Sequence, residues 1–122
     1  MSLPWWVPFG RVPEISAREL NELLKNGGAQ LIDVRTPVEF AAGHLAGARN
    51  VPIHRLKQAL PSLALNPERP IIAICATAHR SAPAVRLLYT AGYENARQLK
   101  GGMISWYVAR LPTSKQTTTK GS

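Results

Sequence analysis

Short apolar runs and helically spaced apolar positions alternate along this chain. Apolar-rich stretches predict strands over residues 31–34 and 71–74, and further strands are predicted over residues 96–99 and, as a short edge strand, over residues 12–15. The stretch at 71–74 is apolar at every position, which is typical of a central parallel strand buried on both faces.

Two capping boxes mark the starts of helices. Ser16 with Glu19, and Thr36 with Glu39, have the three-residue spacing in which each side chain can bond the other residue's backbone N–H. Pro37 stands at the first helical position, where its missing N–H costs nothing. The two boxes therefore predict helices directly before and directly after the strand at 31–34.

Three further helices are predicted, over residues 54–63, from 81 or 82 to 91, and after Gly101-Gly102. Residues 43–52 are predicted to form a loop because they contain Gly and Pro, which favour turns. Strands that alternate with helices predict an α/β fold of three layers, with a mainly parallel central sheet and helices on both faces. Binding sites in such sheets lie beyond the C-terminal ends of the strands.

The length of 122 residues suits one domain. We expect an N-terminal extension over residues 1–11, the folded domain over residues 12–111, and a flexible polar tail over residues 112–122. No apolar run approaches the ~20 residues needed to cross a bilayer, and the first ten residues lack the charged region of a secretory signal. We therefore expect no membrane insertion.

The net charge of +8 is unevenly placed. Residues 1–48 contain four Lys/Arg and five Asp/Glu, whereas residues 49–122 contain eleven and two. A basic half favours anionic partners, such as small oxyanions, an acidic protein or nucleic acid. Because no nucleic-acid-binding motif is present, we expect no DNA partner.

Cys75 is the single cysteine, which excludes an intramolecular disulfide and indicates a reducing compartment, the cytoplasm. It follows the buried strand and precedes a helix. In that position backbone N–H groups and the positive end of the helix can stabilise a thiolate. Arg80 adds a permanent charge nearby, and His79 can tune the same field. The sequence therefore predicts a nucleophilic thiol.

Several segments resemble the rhodanese homology domain. Residues 31–35, Glu39-Phe40 and residues 43–52 resemble its D-V-R, E-F and G-H-I-x-G-A-x-N-x-P signature. Residues 75–80 resemble its C-x-x-x-x-R loop, and residues 100–106 its G-G-x-x-x-W ending. Each motif alone is weak, but the four in this order are specific for the family.

The resemblance implies a sulfurtransferase cycle without metal or organic cofactor. A small anionic donor such as thiosulfate would convert Cys75 to a persulfide, and cyanide, a thiol or a protein sulfur acceptor would take the sulfur. The resemblance assigns stabilisation of the persulfide to the backbone amides of Ala76, Thr77, Ala78, His79 and Arg80. Position 78 is often Gly in the family. If the backbone at Ala78 is left-handed, the cost is on the order of 1 kcal/mol, and we then expect a perturbed loop.

Other polar residues have supporting roles in this interpretation. Asp33 is expected to brace Arg80 or the loop amides, because a buried carboxylate needs partners. Arg35 either helps to bind the donor anion or pairs with Glu39. His44 is expected to bond within its own turn. The three His and one Cys lack metal-ligand spacing, so no metal site is predicted.

Two alternatives remain open. Cysteine phosphatases and arsenate reductases of the related fold use C-x5-R. The four residues between Cys75 and Arg80 make a smaller loop that favours sulfur over a tetrahedral oxyanion. A binding or sulfur-relay module with little thiosulfate activity is the second alternative, whose acceptor would be a protein or a modified tRNA. The intact Cys75 argues against an inactive module.

Overall fold

A five-stranded parallel sheet forms the centre of the computed structural model, which describes residues 12–77 and 80–115. Its order is β1-β5-β4-β2-β3, and every pairing in it is parallel. The strands are β1 Glu14–Ile15, β2 Gln30–Asp33, β3 Arg49–Asn50, β4 Ile71–Ile74 and β5 Ala96–Leu99. The central position of β4 explains why all four of its residues are apolar and buried.

Helices cover both faces of this sheet. They are α1 Ala17–Lys25, α2 Pro37–Ala42, α3 Ile53–Leu63, α4 Ser81–Thr90 and α5 Gly102–Val108. Successive side chains of a strand point to opposite faces, so Ile71 and Ala73 pack with α3 and α4, whereas Ile72 and Ile74 pack with α1 and α5. This arrangement confirms the predicted three-layer α/β fold.

Both predicted capping boxes are present. The Ser16 and Thr36 side chains accept from the backbone N–H of Glu19 and Glu39, and each Glu side chain bonds back to its cap residue. The predicted loop at 43–52 differs from the structure because it contains β3. Its strand residues Arg49 and Asn50 have no strand-like pattern. Parallel pairing with the end of β2 orders them.

The polypeptide after α5 stays in contact with the domain as far as Ser114, within the segment predicted as a tail. The indole N–H of Trp106 donates to the Pro112 carbonyl at 2.8 Å, and Ser114 exchanges two backbone hydrogen bonds with His44. Trp106 itself is buried. The extension at 1–11 and residues 116–122 lie outside the described residues. Among the helices of the described part, none is long and apolar enough to span a bilayer.

Candidate functional site

Cys75 is the first residue after β4, at the sheet edge where all the parallel strands end. Its side chain faces the core layer between the sheet and the α3 and α4 helices, and only 1% of the residue is exposed. The neighbouring loop leads directly into α4, which begins at Ser81 as the position of Pro83 in the first turn requires. The thiol therefore sits between a rigid strand and a helix N-terminus.

Backbone N–H groups of the loop are directed at the sulfur. The N–H of Arg80 donates to Cys75 Sγ at 3.2 Å, and the N–H of Thr77 also acts to lower the pKa of the thiol. Burial, the largest single influence, raises the pKa of the Cys75 thiol. The two N–H groups and the Arg80 guanidinium outweigh burial, so the pKa lies below its ordinary value. This arrangement favours the thiolate, which is the nucleophilic form.

The Arg80 guanidinium forms a two-point ion pair with Glu39 of α2. Nη1 donates to Oε1 at 2.8 Å and Nη2 to Oε2 at 3.0 Å. The same Oε1 accepts from the Thr36 backbone N–H at 2.9 Å as part of the capping box. Arg80 is the main reason that the pKa of Glu39 is lowered to about 2, and Glu39 in turn raises the pKa of Arg80. The capping box of α2 thus anchors the arginine of the cysteine loop.

Asp33 and Arg35 form a second, buried ion pair. Asp33 is fully buried and Arg35 is 5% exposed. Arg35 Nη2 donates to Asp33 Oδ2 at 2.8 Å and to the Gly43 carbonyl at 2.7 Å. The expected Asp33–Arg80 contact and the alternative Arg35–Glu39 pair are therefore both wrong. The Arg35 side chain folds back onto the carboxylate two residues earlier, which leaves Glu39 for Arg80.

The start of α5 holds the other side of the cysteine loop. The N–H groups of Met103 and Ile104 donate to the carbonyls of Cys75 and Ala76 at 2.8 and 3.2 Å. Gly102 makes this approach possible, since a Cβ there would lie 2.5 Å from both carbonyl oxygens. By its position, the glycine pair predicts only the start of a helix. Its place in the G-G-x-x-x-W motif was the available signal for a role at the site.

Glu39 was also missed as a site residue, because its capping-box spacing already accounted for it. His44 behaves as expected: its Nδ1 donates to the Phe40 carbonyl at 2.7 Å and its ring stacks on Phe40. Ala76 and Thr77 lie beside Cys75 in the loop, whereas Ala78 and His79 fall outside the described residues. Over residues 12–77 and 80–115, no three His, Cys, Asp or Glu side chains group as a metal site would require.

Known proteins are similar to this chain in sequence, and solved structures share its architecture. Protein slr1261 of Synechocystis is 34% identical over 102 residues, which are 83% of this chain and 55% of that protein. Thiosulfate sulfurtransferase GlpE of Stutzerimonas stutzeri is 32% identical over 98 residues, 80% of this chain and 84% of that enzyme. The crystal structure of a rhodanese-related protein from Thermoplasma volcanium has a TM-score of 0.77 and 32% identity, covering 85% of this chain and 99% of that one.

The family profile for the rhodanese-like domain matches residues 16–109, which include β2, the cysteine loop and nearly all of the sheet and helices. Sequence, fold and loop position agree with one another, and this chain belongs to the rhodanese-like domain family.

Proposed function

We propose that this protein is a sulfurtransferase that carries sulfane sulfur on Cys75, with thiosulfate as one donor. The observation that carries the proposal is the 3.2 Å hydrogen bond from the Arg80 N–H to Cys75 Sγ at the end of β4. A backbone donor aimed at the sulfur stabilises the thiolate before reaction, and a backbone site of this kind suits a persulfide anion as well. Similarity to the GlpE thiosulfate sulfurtransferase adds support.

The proposed first half-reaction is a displacement at sulfur. The Cys75 thiolate attacks the outer sulfur of thiosulfate, a new S–S bond forms, and the old S–S bond breaks. Sulfite leaves with the electron pair. In the second half-reaction cyanide or a thiolate attacks the outer sulfur of the persulfide, and Cys75 leaves as the thiolate. No net oxidation occurs and no proton has to be abstracted from carbon, so no general base is assigned.

The two ion pairs constrain what each arginine does in this cycle. Arg80 is held by Glu39, so its contribution is to fix the loop and to add positive potential at the sulfur rather than to present a free guanidinium. Arg35 uses Nε and Nη2 on Asp33 and Gly43, and we assign it a structural role at the sheet edge. Donor binding then depends mainly on the loop amides between Ala76 and Arg80. A free cysteine thiol also suits the cytoplasm, which we propose as the compartment.

The test is the intact mass of the protein after incubation with thiosulfate, beside a Cys75→Ala control. We expect the wild type to gain one sulfur atom, to lose it on addition of cyanide, and the control to gain nothing. Cys75→Ser is expected to remain folded and inactive. A chain that gains no sulfur from thiosulfate or from a thiol persulfide, but hydrolyses aryl phosphates, would instead be a phosphatase.

A further inference from the structure

A long stretch of the chain beside the site carries no acidic residue. No Asp or Glu occurs between Glu39 and Glu68, whereas the same stretch contains three Arg/Lys. Two of these, Arg55 and Lys57, are exposed in the first two turns of α3. Within the described part of the chain neither forms an ion pair or a side-chain hydrogen bond, so both charges face solvent. We call these two residues the α3 basic pair.

The α3 basic pair lies at the same edge of the sheet as the thiol. The N–H of Ile53, the first residue of α3, donates to the Val34 carbonyl at 3.1 Å, and the Val34 N–H donates to the Ile74 carbonyl at 2.9 Å. Two backbone links therefore lead from the start of α3 to the residue before Cys75. Since neighbouring strands are about 4.8 Å apart, α3 starts about 10 Å from the end of β4.

A cavity opens beside the basic pair. It has a volume of about 330 Å³ and is lined by Asn50, Val51, Pro52, Arg55, Gln58 and Ala59. The Asn50 amide is already used by the carbonyls of Asp33 and Arg35, so Arg55 and Gln58 supply the available polar groups. A cavity of this size has room for a few side chains, and a carboxylate is the group that Arg55 would hold best.

Helix α1, on the opposite face of the sheet, has no such imbalance. The exposed charges of α1 are Arg18 and Lys25 against Glu19 and Glu22, and Lys25 Nζ lies 3.5 Å from Glu22. No charged residue occurs in α5. Of the helices α1, α3 and α5, only α3 therefore has uncompensated positive charge, and α3 lies on the face of the thiol.

We propose that the α3 basic pair docks an acidic protein segment that carries the acceptor thiol to the Cys75 persulfide. This inference rests on the proposed sulfurtransferase function. A protein fits better than RNA because residues 49–62 contain no Phe, Tyr or Trp and only one His on which a base could stack. In the transfer step the acceptor thiolate attacks the outer sulfur, the S–S bond to Cys75 breaks, and Cys75 leaves as a thiolate.

The test uses three synthetic peptides, each with one Cys, flanked by Asp/Glu, by Ser/Asn or by Lys/Arg. The rate of sulfur transfer from persulfidated protein to each peptide is divided by the rate to cyanide for the same protein. For the wild type at low ionic strength we expect the acidic peptide to react on the order of tenfold faster than the basic one, with the difference shrinking as salt is added.

The charge-reversal variant Arg55→Glu/Lys57→Glu should prefer the basic peptide. The matched control Arg18→Glu/Lys25→Glu makes the same change in net charge on α1 and should keep the wild-type preference. Arg55→Gln/Lys57→Gln, whose neutral side chains put no new charge on α3, should abolish the preference without reversing it. Circular dichroism establishes that each variant is folded.

Equal peptide rates in the wild type, with normal transfer to cyanide, would overturn the docking surface and leave the proposed function standing. Equal loss of preference in the α1 control would also overturn it, since only net charge would then matter. Binding of mixed-sequence single-stranded RNA that the α3 variant abolishes, with no peptide preference, would assign this surface to RNA instead. Absence of any persulfide would overturn both proposals.

Discussion

At Cys75, burial and hydrogen bonding act on the thiol in opposite directions. Burial alone raises the pKa of the thiol, and the N–H groups of Arg80 and Thr77 together with the Arg80 charge bring it below its ordinary value. Substituting Arg80 with any residue except proline removes the guanidinium and keeps the backbone N–H. The contribution of the Arg80 side chain is therefore separable from that of the loop.

Arg80→Ala should raise the pKa of the Cys75 thiol and slow sulfur transfer by about tenfold or more, because one source of positive potential is lost while the backbone donors remain. The pH dependence of Cys75 alkylation by iodoacetamide measures the first effect, and weaker thiosulfate binding should accompany it. Arg18→Ala removes an exposed arginine on the opposite face and serves as the control. If the pH midpoint of Cys75 alkylation is the same in Arg80→Ala as in the wild type, the Arg80 side chain does not lower the pKa of the thiol.

Glu39 links the stability of the fold to pH. Its pKa in the folded protein is about 2, below the ordinary 4.5, so the Arg80–Glu39 pair contributes stability above about pH 4.5 and loses it as the pH falls toward 2. Both side chains are about one-third exposed, at 32% and 35%, so solvent screening reduces the contribution well below that of a buried pair.

Glu39→Gln should lower the free energy of unfolding at pH 7 by about 1–2 kcal/mol and should flatten its decline between pH 5 and pH 2. Gln can still accept the Thr36 N–H in a capping box, so this change isolates the ion pair. Urea unfolding at several pH values measures it, with Glu22→Gln as the exposed carboxylate control. If the free energy of unfolding depends on pH in the same way in both variants, the Arg80–Glu39 pair does not make stability depend on pH.

At the scale of elements, the site depends on how helix starts meet strand ends. The first turn of α2 supplies Glu39, the start of α4 follows Arg80, and the start of α5 donates N–H groups to the carbonyls of Cys75 and Ala76. The N-termini of α4 and α5 thus meet at one loop. Gly102 is the position where this convergence is sterically tightest.

Gly102→Ala should destabilise the protein by about 3 kcal/mol or more, from a left-handed φ of 64° and from overlap with two carbonyl oxygens. It should also change the rate of Cys75 alkylation, because the loop has to shift. Gly92→Ala is the matched control, since Gly92 also has a positive φ, of 105°, but no atom lies within 4 Å of an added Cβ. There we expect only the backbone cost of about 1–2 kcal/mol and unchanged alkylation. If urea unfolding shows that Gly102→Ala and Gly92→Ala lower the free energy of unfolding equally, the close approach of Gly102 to the two carbonyl oxygens adds no cost.

For the whole molecule, the net charge of +8 is the largest electrostatic feature. Like charges repel one another in the compact state, and salt screens that repulsion over a Debye length of about 10 Å at 0.1 M. Part of this repulsion arises in α3 and α4, because neither helix contains an acidic residue. Added salt should therefore stabilise the folded protein.

The melting temperature should rise by a few degrees when sodium chloride is increased from about 0.01 M to 0.15 M. Arg55→Glu/Lys57→Glu lowers the net charge of α3, so its melting temperature should rise less with salt than that of the wild type. The α1 variant Arg18→Glu/Lys25→Glu, with the same net charge, should fall between the two. A melting temperature that decreases with salt would mean that attractive pairs outweigh the repulsion.

The sequence by itself determined the order of elements, the two capping boxes and the place of Cys75 at the end of a buried strand. These features are local, since apolar periodicity and three-residue spacings act within one element. Strand β3 was not predicted because its two polar residues carry no strand pattern and are ordered by pairing with β2.

Only the tertiary structure decided which charges meet. Two arginines and two carboxylates lie near the same edge, and the pairs expected from the sequence differ from those in the structure. Glu39 and Arg80 are 41 positions apart, so their contact depends on where α2 rests against the cysteine loop. Arg35, two positions from Asp33, can fold back onto it without any long-range help. Once that buried pair forms, Glu39 is left as the partner that orients Arg80.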